Sequence, residues 1–83
     1  MYNYQTEKPS IFTEDGQRGF LEVRDRVNKL LREAGAFKFF SACEGITGNT
    51  WFVMACVDRL VELGEIREIT SSNVTGQDRV FVE

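Results

Sequence analysis

The chain has 83 residues, 42% of them hydrophobic, and a formal net charge of -3. That is enough for one domain around a single core and too little for a core plus an enclosed substrate cavity. No run of about 18 apolar residues is present to span a bilayer and no basic-then-apolar start marks a signal peptide, so a cytoplasmic protein without membrane association is expected.

Acids and bases are mixed along the whole chain, and no segment is basic. After residue 45, Arg59, Arg67 and Arg79 stand against Asp58, Glu62, Glu65, Glu68, Asp78 and Glu83. A nucleic-acid binder usually carries a basic patch, because phosphate contacts supply most of the sequence-independent affinity; here only folding can gather one, by bringing dispersed arginines to one face. Cys43 and Cys56 sit among apolar neighbours, and with no histidine in the chain they cannot complete a common zinc set. They read as small core residues, with no disulfide expected in a reducing compartment.

Residues 1–12 hold Tyr2, Tyr4, Ile11 and Phe12 among polar residues, with the only proline at Pro9. Pro9 blocks regular helix and no strand period is present, so this stretch reads as an extended N-terminal arm. Four large apolar side chains are many for a solvated tail. Ile11 and Phe12 are expected to pack on the domain or on a second copy, the alternative being a frayed terminus.

Thr13, followed by Glu14 and Asp15, is a helix start: a cap, then acids at the positive end of the helix dipole. Phe20, Val23, Val27, Leu30, Leu31 and Ala34 form an apolar stripe, with Glu22 and Arg26, Asp25 and Lys29, and Lys29 and Glu33 paired four apart on the solvated side. Gly16 and Gly19 weaken the first turns by about 1 kcal/mol each relative to alanine, placing the start between Glu14 and Gln17. Gly35 is the stop. The next stretch, Ala36 to Glu44, lacks alternation, and the spacing of Phe39, Phe40 and Cys43 predicts a second, short helix whose aromatic cluster, Phe37 included, enters the core.

Gly45-Ile46-Thr47-Gly48-Asn49 reads as a tight turn ending in polar residues able to cap a third helix, about 49–63. Val53, Cys56, Val57, Leu60, Val61 and Leu63 give its apolar stripe, and Gly64 ends it. The opposite face shows Trp51, Phe52, Ala55, Asp58, Arg59 and Glu62. Beyond Gly64 the period falls to near two. Residues 65–70 and 78–82 are strand-like and flank a polar loop, 71–77, which makes a hairpin.

In this order of elements the chain resembles the winged helix-turn-helix superfamily, of the bacterial regulator type. The resemblance rests on Gly45-Ile46-Thr47 at the turn, Val53 and Val57 in the third helix, and the passage Leu60-Val61-Glu62-Leu63-Gly64-Glu65-Ile66 leading into the hairpin. It covers roughly residues 13–83 and is specific for the fold more than for any family within it. It implies a small α+β winged helix of three helices followed by a C-terminal β-hairpin wing, with residues 65–83 as the wing and the third helix as the recognition helix. It further implies DNA binding and transcription regulation, with the third helix in the major groove.

Carried onto this chain, the groove-facing positions are Thr47, Asn49, Thr50, Trp51, Phe52, Ala55 and Arg59, and the wing positions are Arg67, Ser72, Asn73, Thr75, Gln77 and Arg79. Asn49 and Arg59 have the chemistry to read adenine or guanine edges. Thr47 and Asn49 serve equally as plain helix caps. Two features depart from the pattern of a DNA reader: Trp51 and Phe52 stand at the front of the helix, and Asp58 and Glu62 share its outward face. Acids facing phosphates cost binding, and adjacent aromatics suit a protein-interaction anchor unless one of them is buried. The expected function is a small DNA-binding winged-helix regulator, and the alternative is a winged helix that docks a protein partner through an aromatic face and binds no DNA. Homodimerisation fits either.

An enzyme is not expected. There is no histidine for general base work, no glycine-rich phosphate loop, and no base beside either cysteine. Asp58 and Glu62, one turn apart, read as solvated carboxylates. No cofactor and no metal are expected.

Overall fold

Helix α2, Glu14–Ala34, is the longest element and carries the rest. The Thr13 hydroxyl accepts the Gly16 N–H at 2.9 Å, satisfying one of the donors a helix start leaves unpaired. Gly35, at φ 76°, ends the helix by donating its N–H to the Leu31 carbonyl at 2.8 Å. In this computed structural model residues 1–44, 49–70 and 78–83 are described. The expected turn at residues 45–48, with Thr47, and the hairpin tip at 71–77, with Ser72, Asn73, Thr75 and Gln77, lie outside them.

Among the described residues the chain is a small α+β domain of four α-helices and a three-stranded antiparallel sheet. Helix α1, Tyr4–Glu7, is followed by a 3-10 turn, Lys8–Phe12, and then by α2. Strand β1, Ala36–Lys38, leads into α3, Phe39–Cys43, and α4 spans Thr50–Glu62. Strands β2, Arg67–Glu68, and β3, Val80–Val82, form the hairpin. The sheet order is β1-β3-β2, so the last strand is central, and the register sets Phe37 opposite Phe81. Their rings stack at 5.2 Å between centroids, a cross-strand aromatic pair that ties the two chain-distant strands together.

One core unites the elements. Phe20, Val23, Val27 and Leu31 of α2 meet Val53, Met54, Cys56, Val57 and Leu60 of α4, with Phe39, Ala42, Phe81 and Ile66 closing it. The stripes read from the sequence in α2 and α4 face the core, with Leu30 and Val61 half-buried at its edge, but Ala34 and Leu63, at the helix ends, are exposed. Asn49 caps α4 through the Trp51 N–H at 2.8 Å. The helix ends at Gly64, φ 79°, where Glu65 N–H bonds the Leu60 carbonyl and Gly64 N–H the Val61 carbonyl, the paired pattern of a Schellman motif.

Four expectations are corrected. The 1–12 segment is helical, not extended: Asn3 caps α1 by accepting from the Gln5 and Thr6 amides, and Pro9 sits in the first turn of the 3-10 stretch, where its missing N–H costs nothing. Residues 36–38 are strand, because pairing with β3 across more than forty positions overrides a local pattern too short to show it. Phe37 and Phe39 are core, whereas Phe40 is 52% exposed and leaves the expected cluster. Of the three charge pairs expected on α2, Lys29 and Glu33 approach, at 3.9 Å, while Arg26 reaches across to the Ser41 carbonyl and to Glu44.

Candidate functional site

The N-terminal segment lies on α4. Its tyrosines supply the contacts: Tyr2 Oη donates to Asp58 Oδ2 at 2.5 Å, and Tyr4 Oη to Glu62 Oε1 at 2.9 Å. Lys8 Nζ lies 2.9 Å from Glu62 Oε1, and Phe12 offers its ring to the Arg59 guanidinium at 5.2 Å. Asp58 and Glu62 are one helical turn apart, so a single short segment can engage both. Ile11, 1% exposed, anchors the segment in the core.

Beneath it Arg79 joins the hairpin to α4. Its guanidinium donates to Asp58 Oδ1 at 2.7 Å and to Glu68 at 2.9 and 2.7 Å, with the three side chains largely shielded from solvent. Thr70 adds a hydroxyl bond to Glu68. The hydrogen bonds that Arg79 donates to Glu68, with those to Asp58, raise its pKa above the ordinary value against the opposing effect of burial, and the bonds Glu68 accepts lower that of Glu68. Burial, then the Asp58 carboxylate, raises the Tyr2 hydroxyl; burial, then Glu62, pushes Tyr4 up to about 12. Hydrogen bonds from Lys8, Arg59 and Tyr4 lower Glu62 to about 2.

The residues singled out in the sequence fall into three groups. Asn49, Thr50 and Trp51 form an exposed first turn of α4, with Trp51 41% exposed. Phe52 is half-buried, its ring tip filling the space beside Gly19. Ala55 is 0% exposed and belongs to the hydrophobic core, which corrects its place on the groove-facing side. Arg59 is paired with Glu62 at 2.7 Å, and Arg79 is held inside the domain by two carboxylates. Arg67 is exposed on β2 and makes no ion pair among the described residues. The structure thus brings Asp58, Arg59 and Glu62 together and keeps the arginines at 59 and 79 from forming one unpaired positive strip.

Tyr2, Tyr4, Lys8 and Glu68 are the members that sequence reasoning missed. The aromatic content of residues 1–12 signalled packing, but no local pattern names a partner 56 positions away. Both cysteines are shielded, and burial pushes the Cys56 thiol up to about 12. Among the described residues no three of Cys, Asp and Glu gather as a metal-holding group, and no helix is long and apolar enough to cross a membrane. No family model, curated protein or solved structure matches the chain.

Proposed function

We propose that this chain is a winged-helix module that docks a protein partner through α4, with Trp51 as the anchor. The observation that carries this reading is the placement of residues 1–12 over the face of α4 that would otherwise enter a DNA groove. A helix whose outer side is occupied from Asp58 to Glu62 cannot lie flat in a major groove, and the two acids there repel phosphates. What is left open is the first turn, where an exposed tryptophan beside polar Asn49 and Thr50 has the composition of an interface anchor with a wet rim. The order of long helix, short helix, helix and hairpin supports the winged-helix assignment.

DNA binding is the second reading, favoured by one observation. Apart from Glu62, the exposed residues of α4 are at its N-terminal end, the end from which a recognition helix addresses base edges, and Arg67 is exposed on the hairpin. In that case Asn49, Thr50 and Arg67 make the contacts, and two copies are needed to gather enough positive charge.

Titration with mixed-sequence duplex DNA at two salt concentrations, followed by the fluorescence of Trp51, the only tryptophan, separates the two. Docking predicts no change even at low salt. Binding that weakens steeply with added salt would overturn it and restore the DNA reading.

A further inference from the structure

No residue of α1 is buried, and the helix has four residues, far fewer than the 12–15 or so that an isolated helix needs to persist in water. Its hold on α4 is shallow: the rings of Tyr2 and Tyr4 pack half-buried on the rim of the core, and their hydroxyls and the Lys8 ammonium bond Asp58 and Glu62. The apolar anchor, Ile11, comes later, in the 3-10 turn, and Thr13 immediately follows that turn as an extended residue capping α2. Residues 1–8 can therefore lift from α4 while Ile11 stays in the core.

Uncovering that face exposes hydrogen-bond acceptors. Arg79 bonds Asp58 Oδ1 at 2.7 Å and reaches Oδ2 only at 3.5 Å, so Oδ2 keeps a lone pair for a closer donor, and Glu62 presents Oε1 and Oε2 with Arg59 as its companion. Such a face attracts hydroxyl and ammonium donors and repels carboxylates and phosphates. The cap fits it because Tyr2, Tyr4 and Lys8 supply two donors on flat rings and one cation.

We propose that residues 1–8 are a displaceable intramolecular cap over the Asp58–Glu62 face of α4, and that the uncovered face docks a partner segment of the same chemistry, two tyrosine-like hydroxyls and a cation. This rests on the protein-docking reading above and adds the partner's chemistry and an autoinhibited state. The covalently attached cap competes at an effective concentration of about millimolar, so a partner must exceed it in affinity or arrive when the cap is open.

Two measurements on the full chain test this. The first is hydrogen exchange of the unaltered protein. The Glu7 and Lys8 amides, bonded to the Asn3 and Tyr4 carbonyls, are expected to exchange at least about 100-fold faster than the core amides of Val27 and Val57. Exchange at the core rate would make the segment part of the cooperative fold and overturn the cap. The second uses the variant Tyr2→Phe, Tyr4→Phe, Lys8→Ala, which keeps both rings and removes the donors, titrated with a synthetic peptide of residues 1–10. The peptide is expected to shift the resonances of Asp58, Arg59 and Glu62, to bind the variant at least about tenfold more tightly than the unaltered chain, and to weaken when Glu62→Gln is added. A folded variant that ignores the peptide would overturn the assigned chemistry, and a variant that does not fold would overturn displaceability. Neither result touches docking at Trp51, which the DNA titration addresses separately.

Discussion

Tyr2 and Asp58 stand 56 positions apart in the chain and 2.5 Å apart in space, and Asp58 passes the connection on to Arg79 and through it to Glu68. The N-terminal segment, α4 and the hairpin are thus joined through one carboxylate. The arrangement explains why Asp58 and Arg59, polar residues on the outer side of α4, are only partly exposed.

Tyr2 and Tyr4 are the only tyrosines, so the absorbance of tyrosinate reports on this segment alone. Both hydroxyls are raised above the ordinary value of 10.0, Tyr4 to about 12. A group raised on folding stabilises the fold fully below its unfolded pKa, and that contribution is lost as pH climbs through the folded value. In a spectrophotometric titration the native protein is expected to ionise its tyrosines well above pH 10, and in concentrated urea near 10. Coincident curves would show that neither hydroxyl is held.

At the acid end the same segment loosens for the opposite reason. Glu62, lowered to about 2 by Lys8, Arg59 and Tyr4, contributes stability above its unfolded value of about 4.5, and loses it as pH falls toward 2. The near-ultraviolet circular dichroism of the tyrosines should diminish across that window. With Glu62→Gln the signal should be weak already at pH 6 and flat below it.

Arg79→Ala removes the cation between Asp58 and Glu68 and leaves two shielded carboxylates facing each other. The loss should be about 2–4 kcal/mol, below the full cost of breaking a wholly buried pair because Glu68 retains some solvent contact. Urea denaturation measures it. Were Arg79 a surface residue reserved for phosphate contact, the change would stay within about 0.5 kcal/mol.

Gly16→Ala should destabilise the protein although alanine is the better helix former by about 1 kcal/mol. A Cβ at position 16 would lie 1.9 Å from the Ser10 carbonyl oxygen and 2.8 Å from that of Ile11, both backbone atoms that cannot move without shifting the 3-10 turn. The expected net loss is about 1–3 kcal/mol, read from the thermal midpoint. Gly19→Ala meets only the ring tip of Phe52 at 2.7 Å, a half-buried side chain that can turn aside, and should cost less.

Helix starts and stops were legible in the sequence because they are local chemistry. Thr13 and Asn49 bear a short oxygen-carrying side chain just before an apolar-periodic run, and Gly35 and Gly64 follow one; each does in the structure what that position implies. The buried faces of α2 and α4 were legible for the same reason, since the period of an α-helix is written in consecutive residues. The roles of Gly16 and Gly19 were not: read along the chain they only weaken a helix, and their need for space depends on Ile11 and Phe52, which approach from other elements.

By itself, then, the sequence determined the caps and stops of α2 and α4 and most of the residues with which they enter the core, while Ile11 and Phe12 were left between the domain and a second copy, and the structure buries Ile11 and exposes Phe12. Only the tertiary structure decided that Ala36–Lys38 is a strand, that Ala55 is enclosed, that Arg79 turns inward, and that Tyr2 and Tyr4 close over α4. The physical reason is range. Caps, stops and stripes are set by interactions within about four residues, whereas strand pairing and tyrosine–carboxylate bonds join groups more than forty positions apart, where no periodicity links one to the other.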